Sequence, residues 1–141
     1  MKAAAHDSPQ NSDSLNEDGA TLYVVATPIG NLSDISARAI ETLSRAGNIA
    51  AEDTRVTQRL MEHCGIRARL VAVHEHNEQR AAGDVLALLA SGASVALVSD
   101  AGTPGISDPG ARVVAAAHAA GYRVCPVPGA NAAAEIGRAH V

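Results

Sequence analysis

Aromatic residues are almost absent from this sequence. Its 141 residues include two tyrosines, Tyr23 and Tyr122, and neither phenylalanine nor tryptophan. The core must therefore be built mainly from aliphatic side chains. Modules that recognise single-stranded nucleic acid stack its bases on aromatic rings, so the composition argues against a domain of the RRM or OB type.

Cysteines and long apolar runs are also scarce. Cys64 and Cys125 lie far apart, without the spacing of a disulfide framework or a zinc site, and we expect both to be buried, reduced thiols. No run of about 18 uncharged apolar residues is present, and residues 1–20 lack the apolar centre of a signal peptide. These absences predict a cytoplasmic protein that does not enter a membrane.

The net charge of −4 is concentrated at the start of the chain. Residues 1–20 hold one lysine against four acidic residues, a balance of −3, so the remainder carries −1. This polar segment has almost no large apolar side chain, and we expect a disordered tail. Nucleic-acid binders usually present a basic face, whereas the arginines here are scattered, so any RNA-binding surface must come from local clusters, a partner subunit or further sequence.

From residue 21 onward, short β-like runs alternate with helical patterns at intervals of roughly 25 residues, which is typical of βαβ units. The fold class predicted is α/β, with a five-stranded, mostly parallel sheet flanked by helices. The predicted strands are 22–26, 48–52, 69–73, 94–99 and 123–127. The predicted helices are 34–45 with Ser33 as its N-cap, 54–64 closed by Gly65, 78–90, and 109–120 closed by Gly121.

The loop at 99–110, SDAGTPGISDPG, follows the fourth predicted strand. Its three glycines and two prolines let the backbone approach a ligand closely with fixed dihedral angles, and its two aspartates supply hydrogen-bond acceptors. Open α/β sheets bind ligands at the carboxyl ends of their strands. The loop is therefore the strongest candidate for a ligand site.

Two further loops have both structural and functional interpretations. TPIGN at 27–31 has one glycine and matches neither the dinucleotide fingerprint nor a P-loop. Taken alone, it is explained equally by a tight turn between a strand and a helix. In AEDTR at 51–55, Asp53 or Thr54 can cap a helix. Arg55 and Arg59, four residues apart on one helical face, suit a phosphate instead.

The segment HEHNE at 74–78 contains the His-x-His spacing of some metal sites. No third ligand lies at a supporting distance in the sequence, so we predict no metal. The segment is either a helix start at Asn77 and Glu78 or a polar loop that faces a substrate. PVPGAN at 126–131 follows the last predicted strand in the same way.

These five segments, read in order as TPIGNLSDIS, AAEDTR, HEHNE, SDAGTPGISDPG and PVPGAN, resemble the tetrapyrrole methylase superfamily of S-adenosylmethionine-dependent methyltransferases. The resemblance implies an N-terminal α/β domain at 21–134 that binds the cofactor at its strand ends. A second domain, which closes over the cofactor in relatives, is expected to be absent here. Residues 135–141 fit no family pattern and are expected to be an atypical or artefactual end, and the chain by itself is expected to be inactive.

The resemblance also implies a set of site residues. The cofactor would be S-adenosylmethionine, held mostly through the backbone. The implied contact residues are Pro28, Gly30, Asp100, Ala101, Gly102, Thr103, Pro104, Ile106, Gly129 and Ala130. The candidates for the general base are Asp53 and Asp100. The candidates for contacts with the substrate are Arg55, Arg59, His76 and Asn77.

The first loop departs from the GxGPG form of porphyrin-modifying relatives and matches the TPIGN form of the RNA-modifying branch. This branch implies 2′-O-methylation of a cytidine ribose in 16S ribosomal RNA, presented as the small-subunit RNA or the 30S subunit, by a protein that is a homodimer when full length. Two alternatives stay open, namely a tetrapyrrole methyltransferase and a nonenzymatic nucleotide-binding module.

Overall fold

A computed structural model of the chain describes residues 19–28, 30–100 and 108–128, and for Asp100 and Asp108 the backbone alone. Strands and helices alternate along these residues. The strands are β1 (Thr21–Thr27), β2 (Asn48–Ala51), β3 (Arg69–Ala72), β4 (Val95–Asp100) and β5 (Arg123–Val127). The α-helices are α1 (Ala37–Ala46), α2 (Thr54–Cys64), α3 (Glu78–Ala90) and α4 (Asp108–Ala119), and short 3-10 helices occupy Leu32–Asp34 and Glu75–Asn77.

All five strands belong to one sheet with the order β3-β2-β4-β1-β5. Every pairing in it is parallel, which confirms the predicted α/β class. The fourth strand inserts between the first two, so β1 and β2 are not neighbours. Among the described strands, β3 and β5 form the two edges.

Helices cover both faces of the sheet. On one face Leu43 of α1 and Leu60 of α2 pack against Tyr23 and Ile49. Helices α3 and α4 cover the opposite face. Their apolar side chains pack against Leu22 and other apolar side chains of the strands. The consecutive residues Leu22 and Tyr23 therefore pack on opposite faces of the sheet. Because both faces are buried, the central strands are continuous apolar runs and do not alternate between apolar and polar residues.

The first helix begins later than its sequence pattern predicts. Ser33 is not its N-cap, because the Asn31 side chain accepts a hydrogen bond from the Ser33 amide at 3.0 Å and forms a separate 3-10 turn. Ile35 is then extended and buried, and Ser36 caps α1 by accepting from the Ala39 amide at 3.0 Å. The predicted start at residue 34 and the predicted cap were therefore wrong by three residues, whereas the predicted end at residue 45 is within one residue of Ala46.

The other predicted elements agree with the structure to within two residues at each end. Gly65 and Gly121 close their helices in the left-handed region, with φ of +70° and +88°, as their positions predicted. Cys64 and Cys125 are free thiols, but both are half-buried rather than buried. None of the helices in the described segments is long and apolar enough to cross a membrane. The predicted tail and the predicted atypical end lie outside the described residues, apart from residues 19 and 20.

The order of the strands creates a crevice at the carboxyl ends of β1 and β4. These neighbours pair in register from Leu22 opposite Val95 to Thr27 opposite Asp100. The helix after β1 packs on one face of the sheet and the helix after β4 on the other. Because the two connections leave on opposite faces, the space between them is a topological switch point, where open α/β sheets bind ligands.

We expect Leu43→Ala to lower the free energy of unfolding by about 2–5 kcal/mol, because Leu43 is fully buried between α1 and the sheet and its loss leaves a cavity. Urea denaturation followed by circular dichroism measures the change. The matched control is Val56→Ala, since Val56 is 41% exposed on α2 and its truncation should change stability by no more than about 0.5 kcal/mol. Equal losses in the two variants would contradict this assignment of the core.

Candidate functional site at the carboxyl edge of the sheet

The parallel sheet brings the predicted site residues to one edge. Pro28 follows β1, Asp53 follows β2, His74 follows β3, and Asp100 ends β4. The predicted cofactor residues Ala101, Gly102, Thr103, Pro104, Ile106, Gly129 and Ala130 lie outside the described residues. Strands β2 and β4 are neighbours, so Asp53 and Asp100 follow adjacent strand ends.

Thr27 is the buried polar group at the centre of this edge. It is 5% exposed, and its Oγ1 donates a hydrogen bond to the Ser99 carbonyl oxygen at 3.2 Å. The bond ties the last residue of β1 to the end of β4 at the carboxyl edge of the sheet. Thr27 belongs to the TPIGN segment but was not among the predicted site residues. A polar residue at the end of an apolar strand is a signal that could have found it.

In the first loop, Pro28 is half-buried and Gly30 is exposed. A Cβ atom added at Gly30 would meet no atom within 4 Å, and its φ lies outside the left-handed region. Neither backbone strain nor crowding by the described residues therefore requires glycine there. Among the described residues, none fills the space beside the Gly30 backbone.

Asp53 caps the second helix, as one of its two sequence interpretations predicted. Its Oδ1 accepts hydrogen bonds from the amides of Arg55 at 3.1 Å and Val56 at 3.3 Å. Both bonds use the same oxygen. Oδ2 of this exposed carboxylate is therefore available for a further interaction.

Arg55 and Arg59 are both exposed on the first two turns of α2. Within the described residues neither guanidinium group has an ion-pair partner. They border a shallow open cavity of about 500 Å³, lined by Asp53, Arg55, Val56, Gln58, Arg59 and Glu62. Two unpaired guanidinium groups beside an open cavity can receive an anionic group.

Asn77 holds the third loop together from inside. Its Oδ1 accepts from the His74 amide at 2.8 Å, and its Nδ2 donates to the Ala72 carbonyl oxygen at 3.1 Å. Both ends of this amide therefore stabilise the turn after β3. His74 and His76 remain exposed, with ring centroids 6.2 Å apart in an edge-to-face arrangement. In the part of the chain that the structure describes, no group of three or more metal-ligating side chains occurs.

An ion pair connects the third loop to the segment after β4. Arg112 Nε on α4 lies 3.1 Å from Glu78 Oε2 at the start of α3. The arginine side chain is 66% exposed, so solvent screens this pair and its contribution to stability is small. The pair shows that the N-terminal part of α4 lies beside the end of the HEHNE segment.

Cys64 does not belong to this edge. It ends α2, whose first turn lies at the carboxyl edge and whose last turn lies at the other edge of the sheet. Burial raises the pKa of its thiol, so the group is protonated at neutral pH and is a poor nucleophile.

Comparison with known proteins relates this chain to one family. The model of the family described as Tetrapyrrole (Corrin/Porphyrin) Methylases matches residues 21–139. Among solved structures, the uroporphyrin-III-C-methyltransferase of Thermus thermophilus covers 79% of this chain and 48% of its own, with a TM-score of 0.61 and 20% identity. A cobalamin-synthesis-related protein (CobF) of Corynebacterium diphtheriae covers 86% of this chain and 58% of its own, with a TM-score of 0.62 and 18% identity. At these identities the likeness concerns the fold alone.

Curated relatives are much more similar in sequence. The protein named ribosomal RNA small subunit methyltransferase I of Halalkalibacterium halodurans is 52% identical over 124 residues, which are 88% of this chain and 43% of that protein. The protein of the same name in Escherichia coli O157:H7 is 54% identical over 124 residues, which are also 88% of this chain and 43% of the relative. In Pseudomonas aeruginosa the identity is 56% over 79% of this chain and 40% of the relative. The chain thus spans about two-fifths of the length of these relatives.

We expect Asp53→Ala to destabilise the protein by about 1 kcal/mol, because it removes the acceptor for two amides at the start of α2. Asp53→Asn should leave the stability almost unchanged, since asparagine caps helices as well as aspartate. Urea unfolding curves of both variants check this. Glu52→Ala, which removes a neighbouring exposed carboxylate without a capping bond, is the matched control. A loss in the Asn variant as large as in the Ala variant would contradict the capping role.

Proposed function

This chain belongs to the tetrapyrrole methylase family, and we propose that it provides the cofactor-binding part of a methyltransferase that acts on ribosomal RNA. The observation that carries the proposal is the identity of 52–57% to curated proteins named ribosomal RNA small subunit methyltransferase I. The solved structures named for porphyrin or cobalamin chemistry are 18–20% identical and support the shared fold. The proposed substrate is therefore RNA rather than a tetrapyrrole.

S-adenosylmethionine is the proposed cofactor, and it would lie in the crevice between β1 and β4. Gly30 is proposed as a contact because it lies in the loop that follows β1, where a Cβ atom would meet none of the described residues within 4 Å. Thr27 supports the floor of that crevice through its bond to Ser99. The other proposed contacts are Pro28, Asp100, Ala101, Gly102, Thr103, Pro104, Ile106, Gly129 and Ala130.

The proposed reaction is methylation of the ribose 2′-hydroxyl of a cytidine in 16S ribosomal RNA. S-adenosylmethionine supplies a methyl group that is already activated by its sulfonium. The protein must align the hydroxyl and remove its proton. Asp53 has an available carboxylate oxygen beside the capping bonds, and Asp100 ends β4 opposite Thr27. Both are proposed as candidates for that base.

The proposed RNA contacts lie on the second and third loops. Arg55 and Arg59 would bind a phosphate, because both are exposed and without an ion-pair partner among the described residues. His76 is exposed and is proposed to face the substrate. Asn77 is proposed as a contact as well, although its two bonds inside the loop also give it a structural role.

The partner in this proposal is the small-subunit ribosomal RNA or the 30S subunit, and a cytoplasmic location follows from that substrate. The proposal that the full-length protein is a homodimer rests on the family resemblance. Because the chain spans about two-fifths of its curated relatives, we propose that the 141 residues bind the cofactor but do not complete the transfer by themselves.

We expect the full-length gene product to transfer labelled methyl from S-adenosylmethionine to 30S subunits isolated from a strain that lacks this modification. Replacing the true base by asparagine should lower kcat by about 10²–10⁴-fold, while the other aspartate tolerates the change. Parallel assays of Asp53→Asn and Asp100→Asn identify which aspartate is the base. Asp53→Asn keeps the helix cap, because asparagine also caps helices. Labelling of a porphyrin instead of RNA would favour the tetrapyrrole alternative, and the absence of any cofactor binding would favour a nucleotide-binding module.

We expect Arg55→Ala and Arg59→Ala in the full-length gene product each to raise the KM for RNA several-fold without changing the affinity for S-adenosylmethionine. Each lost phosphate contact should also lower the slope of log affinity against log salt by about one. Filter binding at several salt concentrations measures this slope. Arg69→Ala is the matched control, because Arg69 is exposed at the opposite edge of the sheet. An equal effect of all three variants would contradict a local phosphate site.

A further inference from the structure

The Ser36 hydroxyl joins two loops that are far apart in the chain. Its oxygen accepts a hydrogen bond from the Ala39 amide at 3.0 Å and thereby caps α1. The same hydroxyl donates a hydrogen bond to the Pro128 carbonyl oxygen at 2.9 Å, across 92 residues of sequence. A hydroxyl group has one donor and two lone pairs, so one serine satisfies both partners at once.

The second of these bonds is not needed for the helix. The cap uses a lone pair of Ser36, and any good capping residue would supply one. The donated proton instead reaches the residue that follows β5. In the described sheet β5 is an edge strand that pairs with β1 alone.

The two connected segments belong to different walls of the proposed cofactor site. Ser36 ends the segment that begins with Thr27 and contains Pro28 and Gly30. Pro128 stands directly before Gly129. The bond joins the segment after β1 to Pro128, the first residue after β5.

We propose that Ser36 is a positioning residue for the cofactor site: its hydroxyl holds the segment after β5 against the segment after β1. This inference rests on the proposed function, since it assumes that S-adenosylmethionine binds between these segments. It goes further by assigning a role to a residue that touches neither the cofactor nor the RNA in that proposal. The role depends on the donated proton and not on the helix cap.

Three substitutions separate the two bonds. Ser36→Asp keeps a capping acceptor but cannot donate, because an ionised carboxylate carries no proton. Ser36→Thr keeps both functions of the hydroxyl. Ser33→Asp is the matched control, since it adds the same charge to an exposed position of the same segment, three residues away, where no bond to Pro128 is made.

The measurements use the 141-residue chain. Isothermal titration calorimetry gives the Kd for S-adenosylmethionine, urea unfolding gives the stability, and hydrogen exchange reports on the peptide that contains Pro128. We expect Ser36→Asp to weaken cofactor binding by about 2- to 10-fold, the factor expected for one neutral hydrogen bond. We expect it to speed exchange after β5 while the unfolding midpoint stays close to that of the unsubstituted chain. Ser36→Thr and Ser33→Asp should match the unsubstituted chain in all three measurements.

The failures of the two proposals are distinguishable. If the unsubstituted chain binds S-adenosylmethionine and Ser36→Asp binds it equally well, the positioning role is overturned and the proposed function stands. A Kd raised to the same extent by Ser33→Asp would also overturn the positioning role, because charge alone would explain it. If the unsubstituted chain binds no S-adenosylmethionine, the cofactor site proposed for this chain fails, and the role of Ser36 fails with it.

Discussion

The pairing of β1 with β4 is the interaction on which the rest of the structure depends. Six consecutive residue pairs join the two strands, from Leu22 opposite Val95 to Thr27 opposite Asp100. This pairing places the two strands in the middle of the sheet and buries their side chains under helices on both faces. It also determines where the crevice opens, because the connections after β1 and β4 leave on opposite faces.

The fold could be predicted well where local sequence decides it. The strands were predicted from aliphatic runs. The helix ends were predicted from Asp53, Gly65 and Gly121, because helix caps and left-handed glycines depend on only a few neighbouring residues. The start of α1 could not be predicted from Ser33. Its position depends on the Asn31 turn and on the burial of Ile35, a contact with distant residues.

The features of the candidate site likewise divide into those that local sequence predicts and those that depend on distant residues. That the loops share one edge follows from a parallel sheet and could be predicted without the order of its strands. The bonds of Thr27 to Ser99 and of Ser36 to Pro128 could not, because they depend on which strands become neighbours. Asn77 shows a further limit, since its residue type suits either a substrate contact or the internal bonds that the structure shows.

The strand order also has a consequence for how the protein is made. Leu22 pairs with Val95, 73 residues later, and with Val124 beyond it, so β1 has no strand partner while the chain between them is being synthesised. At synthesis rates of about 5–20 residues per second, this gap lasts roughly 4–15 s. Only β2 and β3 can pair early, through α2. Such non-local pairing slows folding and exposes an apolar strand to aggregation, so nascent-chain protection by chaperones matters most before β4 emerges from the ribosome.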